Sequence, residues 1–148
     1  MKLIFIFALL LTSPLFAEKK HNLSKKGLAI KGYDPVSYHT NTGPQKGSSD
    51  LKFSFNSSTY YFSSQENLNL YKADSKKYVP KLGGWCAFAM LEGKEVQINP
   101  KSYKIIEGGL YLFYDGLWGD TLKKWNALIS KDQLESDLIS KVQGNWQK

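Results

Sequence analysis

The chain has 148 residues, a formal net charge of +7, one cysteine and 20 basic residues, all of them lysine. The absence of arginine argues against a nucleic-acid reader, because the guanidinium is the group that grips phosphate bidentately. A single thiol cannot close an intramolecular disulfide, so packing alone must hold the fold.

The first element is Lys2 followed by Leu3 to Phe16, almost wholly apolar, then Ala17 and the charged run Glu18-Lys19-Lys20. A basic start, a short apolar stretch and a small residue before charge make the layout of a secretory signal peptide. The stretch falls short of the roughly 20 residues that a membrane-crossing helix needs. The expectation is export to the periplasm or beyond, with residues 1–17 removed and no transmembrane anchor afterwards. What remains supports one core and one domain. Its lysines are interleaved with acids. Such a surface is either simply solvated or weakly attracted to anionic envelope material.

Residues 18–27 are polar and Lys-rich and read as a disordered leader, with His21 in solvent. From Leu28 the chain turns apolar and aromatic around Gly-Tyr-Asp-Pro, where Pro35 fixes its own φ and biases Asp34 towards extended backbone. Leu51, Phe53 and Phe55 alternate with polar residues before a turn at Asn56–Ser58 and the β-formers Thr59–Phe62, which predicts a hairpin. Ser63 and Glu66 stand in capping-box spacing ahead of a helix over 64–73. Trp85, Phe88, Ala89 and Leu91 suit a short buried helix between glycines. Tyr103–Glu107 and Leu110–Tyr114 flank Gly108-Gly109, a second hairpin with a two-residue loop. Apolar spacing predicts helices over 117–129 and 131–142, with Ser130 and Gln133 boxing the second start. The fold class expected is α+β: a small single domain over 28–148 with two hairpins, packed helices and a C-terminal helical pair.

Several segments in this order resemble the YHS domain family, specifically its secreted bacterial branch. They are Gly32-Tyr33-Asp34-Pro35-Val36-Ser37-Tyr38, Tyr60-Tyr61-Phe62-Ser63-Ser64 with Asn67-Leu68, Ala73-Asp74 with Lys77-Tyr78, and Gly83-Gly84-Trp85-Cys86-Ala87. The likeness runs on through Tyr111-Leu112, Tyr114 and Trp125. In metal-associated members it implies cysteines at positions that here hold Ser37, Ser63 and Asn67. A hydroxyl and an amide are poor ligands for zinc or copper(I). That metal site therefore does not carry over.

The residues that remain as candidates have competing readings. Cys86 and Met90, four apart, place two soft donors on one face if the segment is helical, which suits copper or zinc with His39 as a further ligand. They equally suit a core. His39 can also serve as base to a Cys86 nucleophile. Asp34, Tyr38 and Trp85, on the motifs that carry the resemblance, are candidate contacts for a small ligand, although an Asp before Pro commonly bonds its own turn. Tyr60, Tyr61, Tyr111, Tyr114 and Trp118 are candidate walls of an aromatic cleft. No hydrolase, phosphate-loop or metalloprotease motif is present. The reading is a non-enzymatic binding module for a metal or small ligand. The alternatives are an envelope interaction protein and a Cys/His enzyme. Mass spectrometry of the secreted protein is expected to show a chain beginning at Glu18; recovery of only the uncleaved chain inside the cell refutes export.

Overall fold

The computed structural model describes residues 20–129 and 134–148 of the chain. The order of elements is β1 (Ser48–Phe55), β2 (Ser58–Phe62), α1 (Gln65–Ala73), α2 (Ser75–Tyr78), α3 (Ala87–Met90), β3 (Asn99–Ile106), β4 (Gly109–Phe113), β5 (Asp115–Gly116), β6 (Gly119–Asp120), α4 (Thr121–Ile129) and α5 (Glu135–Trp146). Short 3₁₀ turns stand at Ile30–Gly32, Ser37–His39 and Lys81–Gly84. Among the described residues the strands pair as successive antiparallel hairpins, β1–β2, β3–β4 and β5–β6. This is the expected α+β domain.

Both larger hairpins close through two residues of positive φ, the backbone that matches the twist of the paired strands. In the first these are Asn56 (47°) and Ser57 (60°). In the second they are Glu107 (50°) and Gly108 (75°), so the loop lies one residue earlier than Gly108-Gly109. Gly109 instead pairs with Ile106, and a Cβ on it would stand 2.6 Å from Lys81 Cε.

β4 is the shared wall of the molecule, and all of its residues are buried. Alternation sends Leu110 and Leu112 into one core and Tyr111 and Phe113 into the other. The first core centres on Tyr71 of α1. Its ring meets Phe62 at 5.1 Å, Tyr60 at 5.2 Å and Phe53 at 6.1 Å between centroids. Each such pair contributes about 0.5–1.5 kcal/mol beyond area burial. The second core packs Trp125 of α4 and Leu138, Ile139 and Val142 of α5 on the other face of β4. Glu135 braces it, accepting from Lys104 Nζ (2.6 Å) and from the buried Trp125 Nε1 (2.8 Å).

Three expectations need correction. Residues 20–27 do not lie loose: Trp85 Nε1 donates to Lys20 O (2.7 Å), Asn22 N to Gly83 O (2.9 Å), and Leu23 bridges Ala29. The side chains add to this, with Asn22 Nδ2 donating to Gly84 O (3.0 Å) and His21 Nδ1 lying 3.0 Å from Ser58 Oγ; polar composition does not reveal such distant partners. The α1 cap is Ser64, which accepts from Asn67 N, since Ser63 is engaged elsewhere. Third, α4 begins at Thr121, with Asp120 accepting from Lys123 N (3.0 Å). Leu117 and Trp118 form the turn between β5 and β6, and they are 98% and 83% exposed. The expected cap Ser130 and its partner Gln133 lie outside the described residues; α5 itself runs later than expected, to Trp146.

One carboxylate joins the N-terminal turn to the β2–α1 junction. Asp34 is fully buried. It accepts from Val36 N (2.9 Å), Ser63 N (2.8 Å), Ser63 Oγ (2.7 Å) and Asn67 Nδ2 (2.7 Å). Removing the acceptor strands these donors, each at about 1–3 kcal/mol where water cannot replace it. Asp34→Ala is expected to lower unfolding free energy by about 3 kcal/mol or more, whereas the exposed Asp50→Ala stays within about 0.5 kcal/mol. Chemical denaturation of both variants checks this, and equal stabilities would remove Asp34 from its structural role.

Candidate functional site

The strongest site is a groove of about 390 Å³ between α3, the Lys94–Val96 segment, and the β5–β6 tip with the start of α4. Its position follows from local geometry. Cys86 N donates to Val96 O (3.0 Å), and Cys86 bridges Leu112 of β4, which fixes the groove floor. α3 then turns Phe88 and Ala89 outward, half-buried, while Ala87 and Met90 face the second core. Across the groove, the tight β5–β6 turn lifts Trp118 to form the opposite wall. Its backbone N–H donates to Tyr114 Oη (3.2 Å).

The walls are apolar and the rim is charged. Phe88, Val96 and Trp118 supply the walls. At the rim, Lys94 is held by Glu92 in an exposed ion pair of 2.5 Å. Lys124, also exposed, has no acidic partner among the described residues. The hydrogen bond from Lys94 is the main reason that the Glu92 carboxyl titrates below its ordinary range. Lys124 is thus the ammonium available to a ligand.

Cys86 lies at the floor, fully buried. Its Sγ accepts from Tyr114 N (3.3 Å) and stands 3.4 Å from Thr121 Oγ1. Thr121 spends its own proton on Tyr114 O at 2.7 Å. The thiol proton is therefore the one directed at Thr121 Oγ1. Cys86 precedes α3 with extended backbone (ψ 119°). The shared helical face imagined for Cys86 and Met90 is lost there, and the two residues pack in different cores.

His39 does not join them at the groove. It sits half-buried in the Ser37–His39 turn, edge-on to Tyr78 at 5.3 Å, with a buried Nε2 that has no hydrogen-bond partner. Among the described residues no three His, Cys, Asp or Glu side chains are grouped to hold a metal ion. Cys86, His39 and Met90 do not fit a copper or zinc centre, which needs three or four convergent donors.

The expected ligand contacts also separate. Asp34 is saturated by its four neutral donors. Tyr38 donates to Pro100 O (2.7 Å) and is buried, which pushes its hydroxyl pKa up strongly. Trp85 is committed to Lys20 O. All three hold the scaffold. The positions where the resemblance implies metal-binding cysteines do converge: Ser63 and Asn67 on the Asp34 carboxylate, and Ser37 Oγ on Asp34 O (2.7 Å). A hydrogen-bonded carboxylate occupies the middle of a set that contains no thiolate.

Of the candidate aromatic walls, Tyr114 and Trp118 line this groove, and Tyr60 lines a separate cavity. Thr121 and Lys124 were not singled out from sequence. The flanking Gly116 and Gly119 were the available signal that Leu117-Trp118 is a turn and not helix. Comparison with protein families, curated proteins and solved structures finds no match to the chain.

Burial, and secondarily the Lys77 charge, holds the His39 pKa below 6.5. The unfolded chain therefore binds the proton first as pH falls. The stability from neutral His39 is full above about 6.5 and is lost on descending from there to the folded pKa. Thermal midpoints between pH 7.5 and 5 are expected to fall more for the wild type than for His39→Phe, which cannot titrate; parallel curves refute this.

Proposed function

We propose that the chain is an exported YHS-type binding module, not an enzyme, and that it seats a small aromatic or aliphatic molecule bearing an anionic group in the Cys86 groove. The observation that carries this reading is the groove itself, an apolar slot with an ammonium at its rim, Lys124, that has no acidic partner among the described residues. A volume of about 390 Å³ falls within the roughly 300–1,000 Å³ range of small-molecule sites. Phe88 and Trp118 offer faces to an apolar body, Lys124 offers charge to a carboxylate, and Cys86 supplies a soft floor. The family reading touches the groove through one residue of the Gly83–Ala87 motif, Cys86 at the floor.

A Cys/His enzyme is disfavoured. No histidine is among the described residues that line the groove, and the sulfur is engaged by Tyr114 N and Thr121. The alternative of an envelope interaction protein draws on one observation, the exposure of Leu117 beside Trp118 at the turn tip.

Calorimetric titration with indole-3-acetate and with tryptamine, its cationic counterpart, tests the reading. Saturable binding of the acid is expected, with at least about tenfold weaker binding of the amine. Trp118→Ala and Lys124→Met should each weaken the acid by about tenfold, while Leu117→Ser leaves it unchanged. Binding of neither compound, or equal binding that both variants leave intact, sinks the groove as a ligand seat. Retention on an envelope fraction that Leu117→Ser abolishes would favour the interaction reading instead.

A further inference from the structure

A second cavity, of about 490 Å³, is lined by the Lys81–Gly84 turn. It is closed by the N-terminal segment, the first hairpin turn and the end of α5, regions that no argument above uses for binding. We propose that this cavity is a separate site for an anionic saccharide, a sugar bearing a carboxylate. The groove reading can fail without affecting it.

Charge gives the first argument. None of the described residues lining this cavity is acidic, and Lys81 and His21 are both basic. A cationic ligand would find no counter-ion there, whereas an anion meets an ammonium. The polar groups give the second. Asn56 and Gln143 are lining residues that carry amides, which present a donor and an acceptor side by side, the pattern that vicinal sugar hydroxyls match; one donor of Gln143 is already given to Tyr111 Oη (3.3 Å). Trp146 gives the third. Its indole is half-buried against Gly83, so closely that a Cβ at Gly83 would meet its Cη2 at 2.7 Å. An aromatic plate fixed at the wall of a polar cavity suits the C–H face of a pyranose, which packs on apolar surface while its rim hydroxyls bond to amides.

The way the cavity is built points to a maintained shape. Leu82, a buried branched residue, holds φ 56°, and Gly83 follows at 59°. Left-handed backbone costs about 1–2 kcal/mol at a residue with a Cβ. Such strain persists only where the surroundings over-determine it, and it gathers at ligand sites. Beside Gly83 and Trp146, His21 Nδ1 is fixed by Ser58 Oγ at 3.0 Å, which orients the imidazole without a carboxylate.

The test is an amide-resolved NMR titration of the ¹⁵N-labelled protein with glucuronate, glucose, glucosamine and inorganic phosphate. Glucuronate is expected to saturate, moving Asn56, Lys81, Gly83 and the Trp146 indole N–H, with glucose and glucosamine at least about tenfold weaker. Lys81→Met should bring glucuronate down to the level of glucose and leave glucose unaltered. Trp146→Ala should remove both, and its thermal midpoint shows whether the fold survives. Lys81→Met alters only the exposed end of one side chain, so it decides the question even if Trp146→Ala unfolds. The proposal is overturned by no shifts at these residues with either sugar, by glucosamine matching glucuronate, or by an unchanged Lys81→Met variant. Phosphate binding as tightly as glucuronate also overturns it, because the site would then read charge and not sugar.

Discussion

The Asp34 carboxylate is the constraint on which the positions of the N-terminal turn and α1 depend. A buried anion without a cation is costly, and the fold offsets that cost with donors drawn from three places in the chain: Val36, Ser63 and Asn67. These bonds dictate local structure as well as stability. Ser63 cannot cap α1 while it serves Asp34, so the cap passes to Ser64. With the β2–α1 junction so pinned, Tyr71 is delivered into the ring cluster beneath the first hairpin.

β4 carries that order to the rest of the molecule. Every residue of the strand is buried, and its two faces supply the two cores. A strand covered on both sides leaves no free sheet face, so the places left for ligands are the seams where loops cross its ends. The Cys86 groove lies where α3 and the β5–β6 tip meet one seam. The larger cavity lies where residues 20–23 and α5 meet the Lys81–Gly84 turn.

Chemistry at Cys86 depends on backbone more than on residue type. In a continuous helix, a cysteine and a methionine four residues apart would share a face. Here the helix starts one residue after the cysteine, and extended geometry at Cys86 turns the thiol towards Tyr114 and Thr121. The indole of Trp118 and the ammonium of Lys124 reach the same groove from a turn and a helix far along the chain from Cys86. Such a seat is assembled from neighbours in space, and each contributor is ordinary in its own local sequence.

What could be read from the chain alone was whatever period and turn chemistry encode. Alternation in Leu51–Phe55 gave the first hairpin and the Gly108-Gly109 loop between two β-forming runs the second, while the apolar spacing of Leu68 with Tyr71, and of Leu122 with Trp125, gave the helices. Tertiary structure decided the remainder. It attached residues 20–27, moved the second hairpin turn back by one residue, and converted the expected start of α4 into an exposed Leu-Trp tip. It also committed Asp34, Tyr38 and Trp85 to the scaffold and kept His39 out of the Cys86 groove. The reason is physical: periodicity reports only which face of an element is apolar. Which polar atom completes which distant hydrogen bond is decided by the packing of elements far apart in sequence, where a buried donor or acceptor must find its partner.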